Sequence, residues 1–181
     1  MRTNSPVFSY FRRPIQNLQP QAHWTILDAW HYIISDDAAE NTRQLRTIKD
    51  PKERQAFKAG HFDYATFSGT FRQRGKDGLI RHSGLICMDF DHLAKPQQLS
   101  QRLLKDEYFE TMLLFRSPGG DGLKWVIPIE LGTSTQEALF NAIWWYCRKT
   151  YGITPDRQCR DVGRACFLPY DPEAYINPAL R

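Results

Sequence analysis

Residues 85–91, Leu-Ile-Cys-Met-Asp-Phe-Asp, constrain the fold of this 181-residue chain more than any other segment. Leu85 to Phe90 is the strongest strand signal in the sequence, and it ends in two aspartates one residue apart. In a strand, residues i and i+2 share a face. Asp89 and Asp91 therefore point the same way, with Cα atoms roughly 7 Å apart. Met88 and Phe90 point to the opposite side. Two carboxylates held side by side repel, and their ionised forms are tolerated when a cation sits between them. Carboxylate oxygens suit Mg2+ or Mn2+. A strand running out into a solvated acidic turn would carry the same residues, so the pair alone leaves both readings open.

The flanking sequence alternates helices and strands. Val7 to Phe11 reads as a first strand. Thr25 to Ser35 reads as a helix, with Ile26, Leu27, Trp30, Ile33 and Ile34 at helical spacing and Thr25 as cap. Asn41 to Gly60 is rich in Lys and Arg and is expected to be helical after Asp50-Pro51. Tyr64 to Phe71 suggests another strand, and Gly75 to Gly78 a turn. Beyond the Leu85–Phe90 strand, Pro96 to Lys105 predicts a helix, and Thr111 to Arg116 and Leu123 to Ile129 predict two core strands joined by a glycine-rich loop. Ser134 to Tyr151 predicts a long helix, and Ala165 to Leu168 a last strand. The hairpin favours α+β over a doubly wound parallel sheet.

Bulk properties narrow the class. Hydrophobic residues make up 41% of the chain, enough for a core. No apolar run approaches the ~20 residues of a bilayer span. The opening residues lack the apolar stretch of a signal peptide, which predicts a cytoplasmic protein with no membrane partner. Cys87, Cys147, Cys159 and Cys166 are widely spaced and predict buried free thiols, with a zinc site from Cys147, Cys159 and a histidine as the alternative. A net charge of +4 permits nucleic-acid binding without demanding it.

Two further segments carry chemistry. In Arg116-Ser-Pro-Gly-Gly-Asp-Gly-Leu-Lys124, glycines at 119, 120 and 122 allow close backbone approach and an anion nest. Ser117 adds a hydroxyl and Lys124 a point charge, both useful for phosphate. A flexible hairpin loop is the plainer alternative. In residues 155–167, Asp156 and Asp161 are candidates for a third carboxylate, and Arg160 and Arg164 can pair with them or with phosphate. The histidines show no metal spacing, although His92 follows Asp91 directly. Trp144-Trp145 reads as helix packing rather than a base-stacking platform.

Taken in order, an apolar strand ending in DxD, a Ser/Gly loop feeding a strand, and a third Asp followed by Arg resemble the archaeo-eukaryotic primase superfamily, with its motifs hhhDhD, sxH and hD. RHSGLICMDFDHL, FRSPGGDGLKWVIPI and DVGRACFLPYDPEAYIN more closely resemble the VirE N-terminal-type primase-like domains of bacterial mobile elements and phages. KAGHFDYATFSGTF resembles that family's upstream segment, and the likeness runs from about residue 45 onward.

The resemblance implies an RRM-like antiparallel sheet (76–181) joined to an N-terminal α/β unit (1–75). It implies a primase or primase-polymerase that transfers nucleotides from nucleoside triphosphates on a single-stranded DNA template, often beside a helicase-like partner. Asp89, Asp91 and Asp156 would be the catalytic, metal-holding carboxylates, with Asp161 as runner-up. Ser117, Gly119, Gly120, Gly122, Lys124 and Arg164 would bind nucleotide phosphate. Lys124 stands where the superfamily has His, a departure that bears on polymerase activity.

Among the basic residues of 41–60, Arg46, Arg54 and Lys58 are the candidates for contact with nucleic acid. A lysine that meets only substrate predicts that Lys124→Ala spares folding. A non-catalytic DNA- or nucleotide-binding module is the competing expectation, favoured if Lys124 or Arg164 sits in the metal position. A metal-dependent phosphoesterase is a third.

Overall fold

The computed structural model describes residues 5–181. Its strands all pair antiparallel, and they are interleaved with helices, giving a mixed α+β architecture.

The first sheet has the order β2-β1-β3-β9, from β1 (Phe8–Phe11), β2 (Ala22–Trp24), β3 (Tyr64–Thr66) and β9 (Cys166–Phe167). The second has the order β10-β7-β8-β6, from β6 (Leu85–Phe90), β7 (Leu113–Arg116), β8 (Leu123–Pro128) and β10 (Tyr175–Ile176). A small hairpin, β4 (Gly69–Phe71) with β5 (Leu79–His82), spans the expected 75/76 junction between the two halves. β9 carries the C-terminal half into the first sheet.

Helices start where the sequence supplies caps. Thr25 and Asp28 form a reciprocal capping box on α1 (Ile26–Ile34). α2 (Ala39–Thr47) leads into α3 (Pro51–His61), which has Asp50 as N-cap and Pro51 in its first turn. No residue of α3 is fully buried, so this helix lies against the domain as an outer wall. Two further helices are α4 (Pro96–Leu103) and α5 (Gln136–Tyr151); the latter is capped by Thr135 and closed by Gly152 at φ 71°.

The strand alternation of β6 and β8 sorts the interior into two cores. Ile86, Met88 and Phe90 with Leu123, Trp125 and Ile127 face α4 and α5. Leu85, Val126 and the partly buried Cys87 face the other way, against Phe8, Tyr10 and Ala65 of the first sheet and Ile26, Ala29 and Ile33 of α1. The second sheet is thus the middle layer, and Asp89 lies on its inner face.

The expected single strand over 64–71 is two strands separated by a turn at Phe67-Ser68. β2, β5 and β10 had no counterpart in the sequence reading. All four cysteines are free; Cys147, Cys159 and Cys166 are buried and Cys87 partly so. Among the described residues, no helix is long and apolar enough to cross a membrane.

Asp106, between α4 and β7, ties this edge to α5. It accepts hydrogen bonds from the Tyr146 hydroxyl at 2.9 Å, from the Tyr151 hydroxyl, and from the amides of Tyr108 and Phe109 at 2.8 Å. Burial raises its carboxyl pKa, but these donors, Tyr151 first, outweigh it and hold it below the usual value. A depressed carboxyl stabilises the fold above its unfolded pKa and loses that contribution as pH falls through the folded value. Asp106→Asn should therefore melt at a lower temperature than wild type at pH 7, with the gap closing below about pH 4. Parallel melting curves from pH 7 to 3 would show that Asp106 adds no linked stability.

Candidate metal and nucleotide site

The antiparallel register sets Asp89 directly opposite Lys124. Both lie on the sheet face away from Trp125, and both are nearly buried. The Lys124 ammonium forms an ion pair with Asp89 Oδ2. Asp89 Oδ1 is buried and has no hydrogen-bond partner.

Burial raises the Asp89 pKa; Lys124 offsets part of this and the neighbouring Asp91 adds to it. Burial also works against the charge on Lys124, but Asp89 outweighs it and holds the ammonium protonated. Because Lys124 is half of a buried ion pair and not a residue that meets only substrate, its removal is expected to destabilise the fold by leaving Asp89 buried without its partner.

The third carboxylate comes from the segment after α5. The Asp156 amide donates to the Asp89 carbonyl at 2.8 Å, which pins this segment along the edge of β6. Trp144 anchors it from below, its indole N–H donating to the Pro155 carbonyl at 3.1 Å. Carboxylate oxygens of Asp89, Asp91 and Asp156 consequently lie within 4.8 Å of one another. Asp161 lines the same cleft but is turned into its own loop, where Oδ1 accepts from the Gly163 amide. Arg164 donates to Asp156 Oδ2 at 3.0 Å.

The donor set is all oxygen, and Asp89 carries a buried acceptor, Oδ1, with no hydrogen-bond partner, so the three carboxylates fit a hard divalent cation such as Mg2+ or Mn2+. Lys124 and Arg164 already balance two of the three charges.

The glycine-rich loop is engaged largely with itself. The Gly120 amide donates to the Ser117 carbonyl and the Gly122 amide to the Ser117 hydroxyl. Gly122 is needed for packing: a Cβ there would sit 2.5 Å from the Phe90 carbonyl oxygen. Gly120 adopts φ 85°, a left-handed conformation that favours glycine. Guanidinium groups brace the loop from outside: Arg46 donates to the Pro118 carbonyl and Arg116 to the Gly120 carbonyl, both at 3.3 Å. Arg46 is therefore placed as a brace of this loop.

Arg54 and Lys58 line the same cleft as Asp89 and Asp91, joined by Lys49 and Arg74. The cleft has a volume of about 530 Å³, within the ~300–1,000 Å³ usual for small-molecule sites. Sequence reasoning assigned the basic stretch to nucleic acid and did not anticipate its approach to Asp91. The available signal was the four-residue spacing of Arg54 and Lys58, which puts both on one helix face. His92, at φ 53°, pairs through Nδ1 with Asp121 at 3.0 Å on the rim.

Fold and site together define an antiparallel α+β domain with a carboxylate trio, two of whose members, Asp89 and Asp91, line a cation-lined cleft. The chain belongs to the family of the BT4734-like N-terminal domain, whose model matches residues 57–176 and so takes in β6, the glycine loop, Lys124 and the Asp156 segment. No curated protein and no solved structure matches the chain.

Proposed function

We infer that this domain performs template-dependent nucleotidyl transfer on single-stranded DNA, in the manner of a primase or primase-polymerase, with Asp89, Asp91 and Asp156 as its catalytic carboxylates. The observation that carries this reading is the convergence of those three carboxylates within 4.8 Å of one another, with Asp89 and Asp91 lining a cleft that cations also line. Divalent metals, when bound, supply activation of the attacking hydroxyl and neutralisation of the triphosphate. The chain's own residues fix the carboxylates through the β6–β8 register and the Asp156–Asp89 backbone bond, and they surround the substrate with positive charge.

The order β6-α4-β7-β8-α5-β10 supports an RRM-like core for this half. One departure is that the closing strand β10 pairs with β7, not with β6, whose free edge is covered by the Asp156 segment. A helicase-like partner and a cytoplasmic location belong to the same reading.

A second reading is favoured by a specific observation. Lys124 sits on Asp89 and Arg164 on Asp156, as in a module that keeps the fold and binds DNA or nucleotide without catalysis. Template-directed incorporation with Mg2+ or Mn2+, using Asp89→Ala as control, separates the two. Transfer predicts incorporation by the wild type and at least a ~100-fold loss in the variant, as expected for removal of charge stabilisation at the reacting centre. Calorimetry should also find Mn2+ binding that Asp89→Asn weakens. No incorporation with either metal would overturn transfer and leave the binding module.

A further inference from the structure

Positive charge in the cleft divides into two sets. Lys124 and Arg164 are each committed to a carboxylate. Among the described residues, Lys49, Arg54, Lys58 and Arg74 have no carboxylate within 4.0 Å, although all four line the same cleft as Asp89 and Asp91. The amides of Gly120 and Gly122 are spent inside their own loop. The groups expected to take phosphate are thus largely engaged, while Lys49, Arg54, Lys58 and Arg74 line the cleft without a carboxylate partner.

We propose that Arg54 and Lys58, one turn apart on the inner face of α3, bind the triphosphate tail of the nucleotide, with Lys49 at the cleft mouth. This reading assigns α3 to the nucleotide instead of the template, and it rests on the nucleotidyl-transfer reading for the identity of the polyphosphate.

Four observations support it. Arg54 and Lys58 are half-buried in a cleft of small-molecule size, whereas a template strand needs an open track. The remaining basic residues of this stretch do not share the cleft: Arg43 pairs with Glu40 on the surface, Arg46 braces Pro118, and Lys52 is exposed. Burial first, then Lys124 and Arg54, push the Lys58 pKa down, while Asp91 and Asp89 pull it up. Lys58 is therefore within electrostatic reach of the carboxylates, and a polyanion beside it would relieve the repulsion among the cations. Arg54 also packs so closely on Gly119 that a Cβ there would come within 2.8 Å of its guanidinium, which fixes the α3 side chain against the loop.

The test is equilibrium binding in EDTA, so that only the chain's own cations contribute. The probes are ATP, inorganic tripolyphosphate, adenosine and a short single-stranded DNA. ATP and tripolyphosphate should compete for one site, and adenosine should bind more than tenfold more weakly. Lys58→Gln and Arg54→Gln should each weaken tripolyphosphate about tenfold, the loss of one charge-assisted contact. Lys58→Arg should retain most of the affinity, and DNA binding should change less than about twofold, since the template lies elsewhere. Circular dichroism confirms folding of each variant, and with two positions tested the proposal does not depend on one of them.

Loss of DNA binding with unchanged tripolyphosphate binding would return α3 to the template. Unchanged binding of both would make these residues surface cations. If the wild type incorporates nothing yet binds tripolyphosphate through Lys58, nucleotidyl transfer fails and the phosphate wall stands. If incorporation proceeds with the same KM for nucleotide in Lys58→Gln, the wall fails and transfer stands.

Discussion

Lys124→Ala is expected to destabilise the metal-free protein by about 3–5 kcal/mol, the usual effect of removing one partner from a buried ion pair. Both members of the Lys124–Asp89 pair are nearly buried, and Asp89 already has one oxygen without a donor. Removing the ammonium leaves a carboxylate in the interior beside Asp91. Folding stabilities near neutral pH are only about 5–15 kcal/mol, so the variant should approach the edge of folding.

Mn2+ should return part of the loss, because a cation that binds only the folded state stabilises it, by about 2.7 kcal/mol at a hundred times its Kd. Replacing both partners, as in Asp89→Asn with Lys124→Met, should be far milder than Lys124→Ala alone, since no buried charge is stranded. Urea titrations of the three proteins, with and without Mn2+, check this. A Lys124→Ala loss below about 1 kcal/mol would show that the pair is solvated.

Trp125→Ala is expected to cost a similar amount, about 3–5 kcal/mol, by a different route. Trp125 is fully buried on the helix-facing side of β8. Its ring meets Phe109 edge-on with centroids 6.0 Å apart, and its indole N–H donates to the Thr111 hydroxyl at 2.8 Å. Alanine would leave a cavity among Phe90, Phe109 and α5 residues and remove the indole donor to the Thr111 hydroxyl, which keeps its own bond to the Leu103 carbonyl. Trp145→Ala, at a position 52% exposed on α5, should change stability by no more than about 0.5 kcal/mol. Thermal unfolding of the two variants side by side distinguishes a core tryptophan from a surface one. Equal effects would mean that the faces of β8 are assigned the wrong way round.

Long and strongly patterned elements were legible in the sequence. β6, β7, β8, α1 and α5 carry runs or periodicities that span enough residues to be read locally. The alternation Leu123, Trp125, Ile127 against Lys124 and Val126 in the sequence matches the two faces of β8. β2 and β10 were not legible, because three or two residues cannot show a period and their partners lie far away in sequence.

At the site, the DxD spacing announced Asp89 and Asp91. Asp156 and Asp161 could not be separated by type, since only the backbone bond from Asp156 to Asp89 brings one into the trio. The pairing of Lys124 with Asp89 was hidden for a related reason. It depends on register, which is a property of two strands and the loop between them.

The placement of β9 and β10 bears on how the chain can be made. Residues 166–176 supply an edge strand to each main sheet, β9 beside β3 and β10 beside β7. During synthesis neither sheet is finished until this short segment has left the ribosome. Until then β3 and β7 each present an unpaired edge, the kind of surface through which nascent chains associate with one another. Both pairings close long loops, roughly 100 residues between Tyr64 and Phe167 and about 60 between Leu113 and Ile176. A nascent chain halted near residue 165 would hold all three site carboxylates and still lack the strands that complete both layers around them.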